Sequence, residues 1–569
     1  MHYQPPLSDI HFVLDEVLQA PAQLQALAAF SEVDADLMHQ VMEEAGKFVA
    51  EVVAPLSRSG DEHGCRFEAG RVSTPAGFKE AYTAFWQAGW PALACAPEDG
   101  GQGLPTVLQA VLYEMLSAAN HGWTMAPGLL HGAYECIKHH ASEKLKALYL
   151  GKVASGEWLA TMCLTEPQAG SDLGLVSTRA VPQPDGSYQL RGTKIFISGG
   201  EHDLSENIVH LVLARLPDAP PGPKGLSLFL VPKFLPDGMR SAVHCERIEE
   251  KMGLHGSATC VLRFEAATGW IVGVPGRGLN AMFVMMNAAR LHVALQGIGL
   301  LDAAWQKAAA YAQERRQMRA PGRRTSAAQA DLIMEHPAMR RILDTQRAWI
   351  DGGRVLAYTT ALELDMVKHH PDAQRRAAAE RWCSLVTPVL KAAWTEQAFK
   401  GSSECLQVFG GHGYVREWGI EQIVRDSRVS MIYEGTNEIQ AIDLLVRKVL
   451  ADGGAGLTAL LASLVDLENE SDQTLYSLSW QVKTLTALTQ QLVAASAADP
   501  ALAYWVADDY LRALALTLLQ WAWLRIRQAR PGDADAADAT RWLNPAAALQ
   551  HWILPEFAMR LSIIKARLA

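Results

Sequence analysis

A surplus of basic side chains, a cluster of cysteines and an apolar run of bilayer length are all missing from these 569 residues. Lys and Arg number 51 against 61 Asp and Glu, a net charge of −10, which argues against nucleic acid as a partner. The eight cysteines are scattered, with no CxxC pair and no Cys/His cluster, so no disulfide framework, zinc site or other metal is expected. Reduced thiols in a cytoplasmic compartment fit that usage. The most apolar stretch, residues 513–524, is about half the length that spans a bilayer. It contains Gln520 and is flanked by Arg512 and Arg525. A buried or interface helix is expected there, not a membrane insertion. Residues 1–15 hold Asp9 and Asp15 and no basic segment followed by an apolar run, so a signal peptide is not expected.

What is present reads as an ordinary globular composition, with 49% hydrophobic and 20% charged residues. The chain is too long for one core, so several domains are expected. After a short N-terminal extension (residues 1–34), apolar residues at helical spacing run through 35–158, as in Phe78, Tyr82, Phe85 and Trp86. The glycine-rich stretch 96–103 interrupts them as a turn. Between 159 and 280 the period drops to two: 188–191, 194–198, 208–213 and 226–231 read as strands separated by Pro/Asp/Gly turns. Helical pattern resumes over 281–450, and Gly453-Gly454 marks a boundary. Beyond it, 451–569 is helical again, with 12 acidic and 9 basic side chains and an acidic surface linker at 533–538. The fold class expected is α+β and mostly α. It comprises an N-terminal helical domain, a central β-barrel-like domain, a C-terminal helical bundle and an additional C-terminal helical domain.

Several short motifs carry chemistry. Tyr433-Glu434-Gly435-Thr436-Asn437-Glu438-Ile439-Gln440 puts a carboxylate in a glycine-loosened turn at the mouth of a helix. Such a group can be a general base on a rigid element, or can simply offset the helix dipole. Leu164-Thr165-Glu166-Pro167-Gln168-Ala169-Gly170-Ser171-Asp172 offers hydroxyls and backbone N–H groups to a flat heterocycle or a phosphate, or is a structural turn. Phe196-Ile197-Ser198-Gly199-Gly200 is a stacking wall or a core strand end. Gln407-Val408-Phe409-Gly410-Gly411-His412-Gly413 looks like a helix C-cap. Arg315, in Glu314-Arg315-Arg316-Gln317, can pair with a pyrophosphate or face solvent.

In this order and spacing the five motifs resemble the acyl-CoA dehydrogenase flavoproteins, over residues 35 to 450. The N-terminal extension and the helices after Gly453 resemble the longer bacterial branch of that family. That branch includes methylthiopropanoyl-CoA and broad-range dehydrogenases. The resemblance implies FAD as cofactor, an acyl-CoA substrate, an electron-transfer flavoprotein as partner and a homodimer, with fatty acid β-oxidation as the setting. It implies that Glu434 removes the α-proton of the thioester while the β-hydrogen leaves to the flavin. Ala289 stands where other members carry that base, so the alternative position is empty. For the flavin, the resemblance implies Met162, Leu164, Thr165, Gly170, Ser171, Phe196 and Ser198 around the ring. Arg315, Gln407, Gly411 and Thr436 fall at the pyrophosphate and adenine end, across a subunit boundary. For the substrate it implies Ser171, Arg290, Tyr433 and Gly435. Residues 104–116 with Met282, Met285 and Met286 are expected to line the acyl pocket. An acyl-CoA oxidase or flavin monooxygenase on the same fold, and a non-catalytic binding relative, are the alternative readings.

Overall fold

The computed structural model describes residues 3–322, 330–465, 476–529 and 536–568, of which 536–539 in backbone only. A β domain sits between two bodies of helix. Strands β1 (Arg66–Glu68) and β2 (Arg71–Ser73) form a small hairpin inside the segment read as wholly helical. The other seven are β3 (Leu159–Cys163), β4 (Arg179–Pro182), β5 (Tyr188–Ser198), β6 (Ile208–Arg215), β7 (Leu226–Pro232), β8 (Val243–Ile248) and β9 (Thr259–Val272). β6 pairs with β4, β4 with β5, β5 with β9, β9 with β7 and β7 back with β6, so the sheet closes into a barrel. β3 lies parallel to β6, and β8 pairs with β9. β7 is buried along its whole length and β6 along all but its last residue, which is why both read as unbroken apolar runs. Residues 188–191 and 194–198, read as two runs, are one strand with register shifts along it.

Three long helices, Gly278–Glu314, Pro337–His369 and Ala373–Val408, make the bundle. The first is long and apolar enough to cross a membrane by composition alone, but it threads the centre of the molecule. It packs there against Thr106–Ala119, Leu130–His140 and the other two long helices. A helix that is apolar all round is the expected core element of a large protein.

Beyond residue 453, helices Ala455–Leu464, Leu478–Ala498, Pro500–Ala529, Ala536–Ala548 and Pro555–Leu568 add a further layer. The stretch 513–524 lies buried inside it. Trp523 Nε1 donates to the Ala348 carbonyl at 2.9 Å, docking this layer on the bundle. The acidic linker is revised: helix begins at Ala536, while Asp533 and Asp535 lie outside the described residues. The N-terminal extension is wedged between the layers. Asp9 pairs with Arg347 of the bundle and with Arg541 at 3.1 Å. Arg347 also meets Asp302 and Asp351, and buried Arg354 meets Glu114 at 2.7 Å and Asp302 at 3.2 Å. This ionic network ties extension, bundle and C-terminal layer together.

Candidate active site

Glu434 sits just before the Asn437–Ile442 helix, whose N-cap is Thr436, its Oγ1 accepting from the Ile439 N–H at 3.4 Å. The backbone at Glu434 is left-handed, φ +54°, and at Gly435 φ is +86°. A side chain at 435 would also meet Gln440 Nε2 at 2.8 Å, so glycine is required there. The turn is gripped from two sides. Gln440 Nε2 donates to the Glu434 carbonyl at 3.0 Å, and Lys391 Nζ donates to the Gly435 carbonyl at 2.7 Å. Tyr433 Oη donates to Gln296 Oε1. No acceptor among the described residues takes the Glu434 N–H.

The Glu434 carboxyl faces a cavity of about 70 Å³ that also touches Met162, Phe196, Ser198, Ala289 and Tyr433. Burial pushes its pKa up to about 7, against the opposing pull of Lys391 and Arg290. Burial likewise lowers Lys391 to about 7, although Glu434 raises it. His292, on the same wall, is lowered to about 4 by burial and is neutral; its Nδ1 bonds the Gly128 carbonyl at 2.9 Å. Gly128, Leu129, Ala289 and His292 also line an adjoining cavity of about 570 Å³, of the size that takes small-molecule ligands.

Five of the site residues expected from the sequence therefore meet at the small cavity, Met162, Phe196, Ser198, Tyr433 and Glu434, together with Ala289 at the empty alternative base position. Phe196 is 61% exposed, with φ +59°, and so offers an unpacked aromatic face beside Glu434. That ledge, with the Ser198 hydroxyl and the Met162 thioether, suits a planar ring. Leu164 and Thr165 lie beside it, the Thr165 carbonyl accepting from Ile195 N at 2.9 Å. Gly170 and Ser171 are exposed, and a Cβ at Gly170 would meet nothing within 4 Å, leaving the backbone open to a ligand. Glu166 holds this turn. Burial acts to raise it, but Lys194 at 2.9 Å and donors from Ser177 and Thr178 bring it down to about 2.

The remaining positions lie elsewhere. Arg290 faces the larger cavity and pairs with Asp443 at 3.1 Å. Arg315, Gln407 and Gly411 are exposed at one end of the bundle, where Tyr311 stacks on Phe409 at 4.4 Å, and none of the three lines the Glu434 cavity. Of the acyl-pocket candidates, Thr106, Gln109, Ala110 and Met285 line the larger cavity. Met282 and Met286 do not; Met282 is fully buried and Met286 packs on the core, because their positions turn away on the helix. Lys391 escaped the sequence reading. The signal for it was a lone lysine in the apolar run Val389-Leu390-Lys391-Ala392-Ala393, since lysine is seldom fully buried without a partner.

Profiles of three domains match the chain: the acyl-CoA dehydrogenase N-terminal domain at residues 36–157, the middle domain at 161–267 and the C-terminal domain at 276–449. The chain is 46% identical over 459 residues to the 3-methylmercaptopropionyl-CoA dehydrogenase of Ruegeria pomeroyi, spanning 80% of this chain and 77% of that protein. The chain belongs to the acyl-CoA dehydrogenase family.

This acyl-CoA dehydrogenase is an oxidoreductase acting on CH–CH groups. It is also 37% identical over 475 residues to the broad-specificity linear acyl-CoA dehydrogenase FadE5 of Mycobacterium tuberculosis, spanning 80% of this chain and 77% of that one. Its fold matches the acyl-CoA dehydrogenase of Bacillus anthracis solved with FAD, with a TM-score of 0.75 and 21% identity, covering 98% of this chain and 91% of that chain. The Caenorhabditis elegans ACDH-11 structure with C11-CoA matches at a TM-score of 0.77 and 20% identity, covering 98% and 94%. Members of the family typically carry FAD.

Proposed function

We propose that this dehydrogenase converts an acyl-CoA thioester to its trans-2-enoyl-CoA, with Glu434 as the base that removes the α-proton. The observation that carries the reading is the Glu434 carboxyl, held at about pKa 7 in a strained turn and lining the same small cavity as the Phe196 ledge. A base with a pKa near the working pH is present half ionised and still strong enough to take a carbon-bound proton. The enolate oxygen that develops needs hydrogen bonds, and the free Glu434 N–H is one donor for it. Tyr433 and Gly435 keep that donor and the carboxyl in register, and Arg290 lines the adjoining cavity through which the acyl-CoA is bound. Ser171 contacts the substrate from the turn beside the ring. FAD, when bound, supplies the acceptor for the β-hydrogen. Met162, Leu164, Thr165, Gly170, Ser171, Phe196 and Ser198 hold its ring, and Arg315, Gln407, Gly411 and Thr436 its pyrophosphate and adenine end.

In the same proposal two copies pair to complete each FAD site, the C-terminal helices block a tetramer, and electrons pass to an electron-transfer flavoprotein in the cytoplasm, in β-oxidation. The test is anaerobic mixing of the FAD-loaded protein with straight-chain, branched and thioether-bearing acyl-CoAs. Bleaching of the flavin band by one class supports the reading and names the substrate. A flavin unbleached across the panel overturns it, and rapid oxygen uptake without an added acceptor supports an oxidase or monooxygenase instead.

A further inference from the structure

Lys391 lies on the Ala373–Val408 helix and is fully buried. Besides the Gly435 carbonyl, its Nζ donates to Asn437 Oδ1 at 3.0 Å. Asn437 is itself fixed, its Nδ2 donating to the Ala392 carbonyl at 3.0 Å and its Oδ1 accepting from Thr395 at 3.2 Å. The lysine is therefore clamped beneath the turn that presents Glu434. Four charged groups meet around that turn: Glu434 itself, Lys391, Arg290 from the Gly278–Glu314 helix and Glu438 from the first turn of the next helix. Their charges are not equally available. Arg290 is offset by Asp443 at 3.1 Å, a carboxylate that Lys448 also approaches at 3.3 Å. Lys391 has no carboxylate within 4.0 Å among the described residues. A buried ammonium bonded only to neutral oxygens is costly and is retained where a site uses its charge.

We propose that Lys391 is the positioning residue of the general base. It fixes the left-handed Glu434–Gly435 turn through the Gly435 carbonyl and holds near Glu434 a positive charge that no carboxylate among the described residues pairs within 4.0 Å, Glu438 acting on it only from farther off. The inference rests on the reading of Glu434 as the base. It adds that the turn and the charge come from the same side chain. Removing the ammonium then has two consequences. The carboxyl loses the partner that favours its ionised form, so the base engages at higher pH. The turn also loses one of its two grips.

The test is the pH profile of flavin bleaching by acyl-CoA, measured by rapid mixing for the holoenzyme and for Lys391→Met. The expected result is an acid limb moved up by about one pH unit, the size of effect an opposite charge has on a nearby carboxylate. At pH 7 this is about fivefold slower bleaching, approaching tenfold at pH 6 and below, with FAD content and acyl-CoA affinity unchanged within about twofold. A merely structural lysine would lower yield or FAD content and leave the limb where it was; that result overturns the proposal. Lys391→Arg, which keeps the charge, is expected to keep the limb. If Lys391→Met does not hold FAD, Asn437→Asp decides the matter. It puts a carboxylate at the position now 3.0 Å from Nζ, compensates the lysine and should move the limb up as well; an unmoved limb there counts against the proposal. Loss of the base reading itself looks different: Glu434→Gln would bleach like the parent protein.

Discussion

Replacing Glu434 by Gln separates what this residue does for chemistry from what it does to the fold, because the two effects have opposite sign. The amide cannot take a proton, so flavin bleaching by acyl-CoA is expected to fall by ~10²–10⁴-fold, as for a deleted general base. The fold is expected to gain. A carboxyl whose pKa rises from 4.5 unfolded to about 7 folded is held in its protonated form by the native state. Its stabilising effect is therefore complete below pH 4.5 and is lost as pH rises through 7. At pH 8 the native protein must ionise a group it holds as an acid, at a cost of up to about 3 kcal/mol, and at pH 5 of less than about 1 kcal/mol. The side chain still faces the cavity, and solvent screening makes the larger figure a ceiling. Paired thermal melts of parent and variant holoenzyme at pH 8 and pH 5 measure this. The variant should melt higher at pH 8, by a margin that shrinks at pH 5. A margin that is equal at both pH values, or reversed, would refute the argument that Glu434 is a strained, desolvated acid.

Other substitutions probe the surrounding parts. Arg315→Ala should leave a folded protein that loses FAD on dialysis; unchanged FAD content would remove Arg315 from the cofactor site. Gly435→Ala places a side chain at φ +86° and 2.8 Å from Gln440 Nε2, so it should cost about 1 kcal/mol or more and slow bleaching while FAD stays bound. Arg354→Met strips the cation from Glu114 and Asp302, both fully buried, and should destabilise by about 3–5 kcal/mol, read as a lower melting temperature or loss of soluble protein. Sedimentation should give a dimer of full-length chains, and a tetramer would contradict the role given to the C-terminal helices.

Much of this architecture was legible in the chain, and the failures have physical causes. β6 and β7 announce themselves because full burial demands unbroken apolar runs. β3, five buried residues long, is too short to separate from a helical fragment by periodicity. β9 hides because its 14 residues mix Arg, Glu and Thr with apolar positions and are kinked at Ala266, φ +60°. The Glu434 turn is readable from Gly435, since a carboxylate next to glycine before a helix is a specific local pattern. The meeting of Glu434 with Met162, Phe196 and Ser198 is a long-range fact, and only the resemblance in motif order suggested it. The Asp9–Arg347–Arg354 network could not be read at all, and Lys391 left only the faint signal of a lone lysine in an apolar run. A lysine or arginine on a helix looks the same in sequence whether it faces water or a buried carbonyl.

The central claim is tested most directly by a single anaerobic turnover. FAD-loaded protein is mixed with an acyl-CoA that bleaches its flavin, once with ordinary and once with α-deuterated substrate, and the product is identified by mass. The account predicts an enoyl-CoA lighter than the substrate by two hydrogens, slower bleaching with deuterium at Cα, and neither event in Glu434→Gln. Bleaching by Glu434→Gln at the parent rate, or a product that keeps both hydrogens, would contradict it.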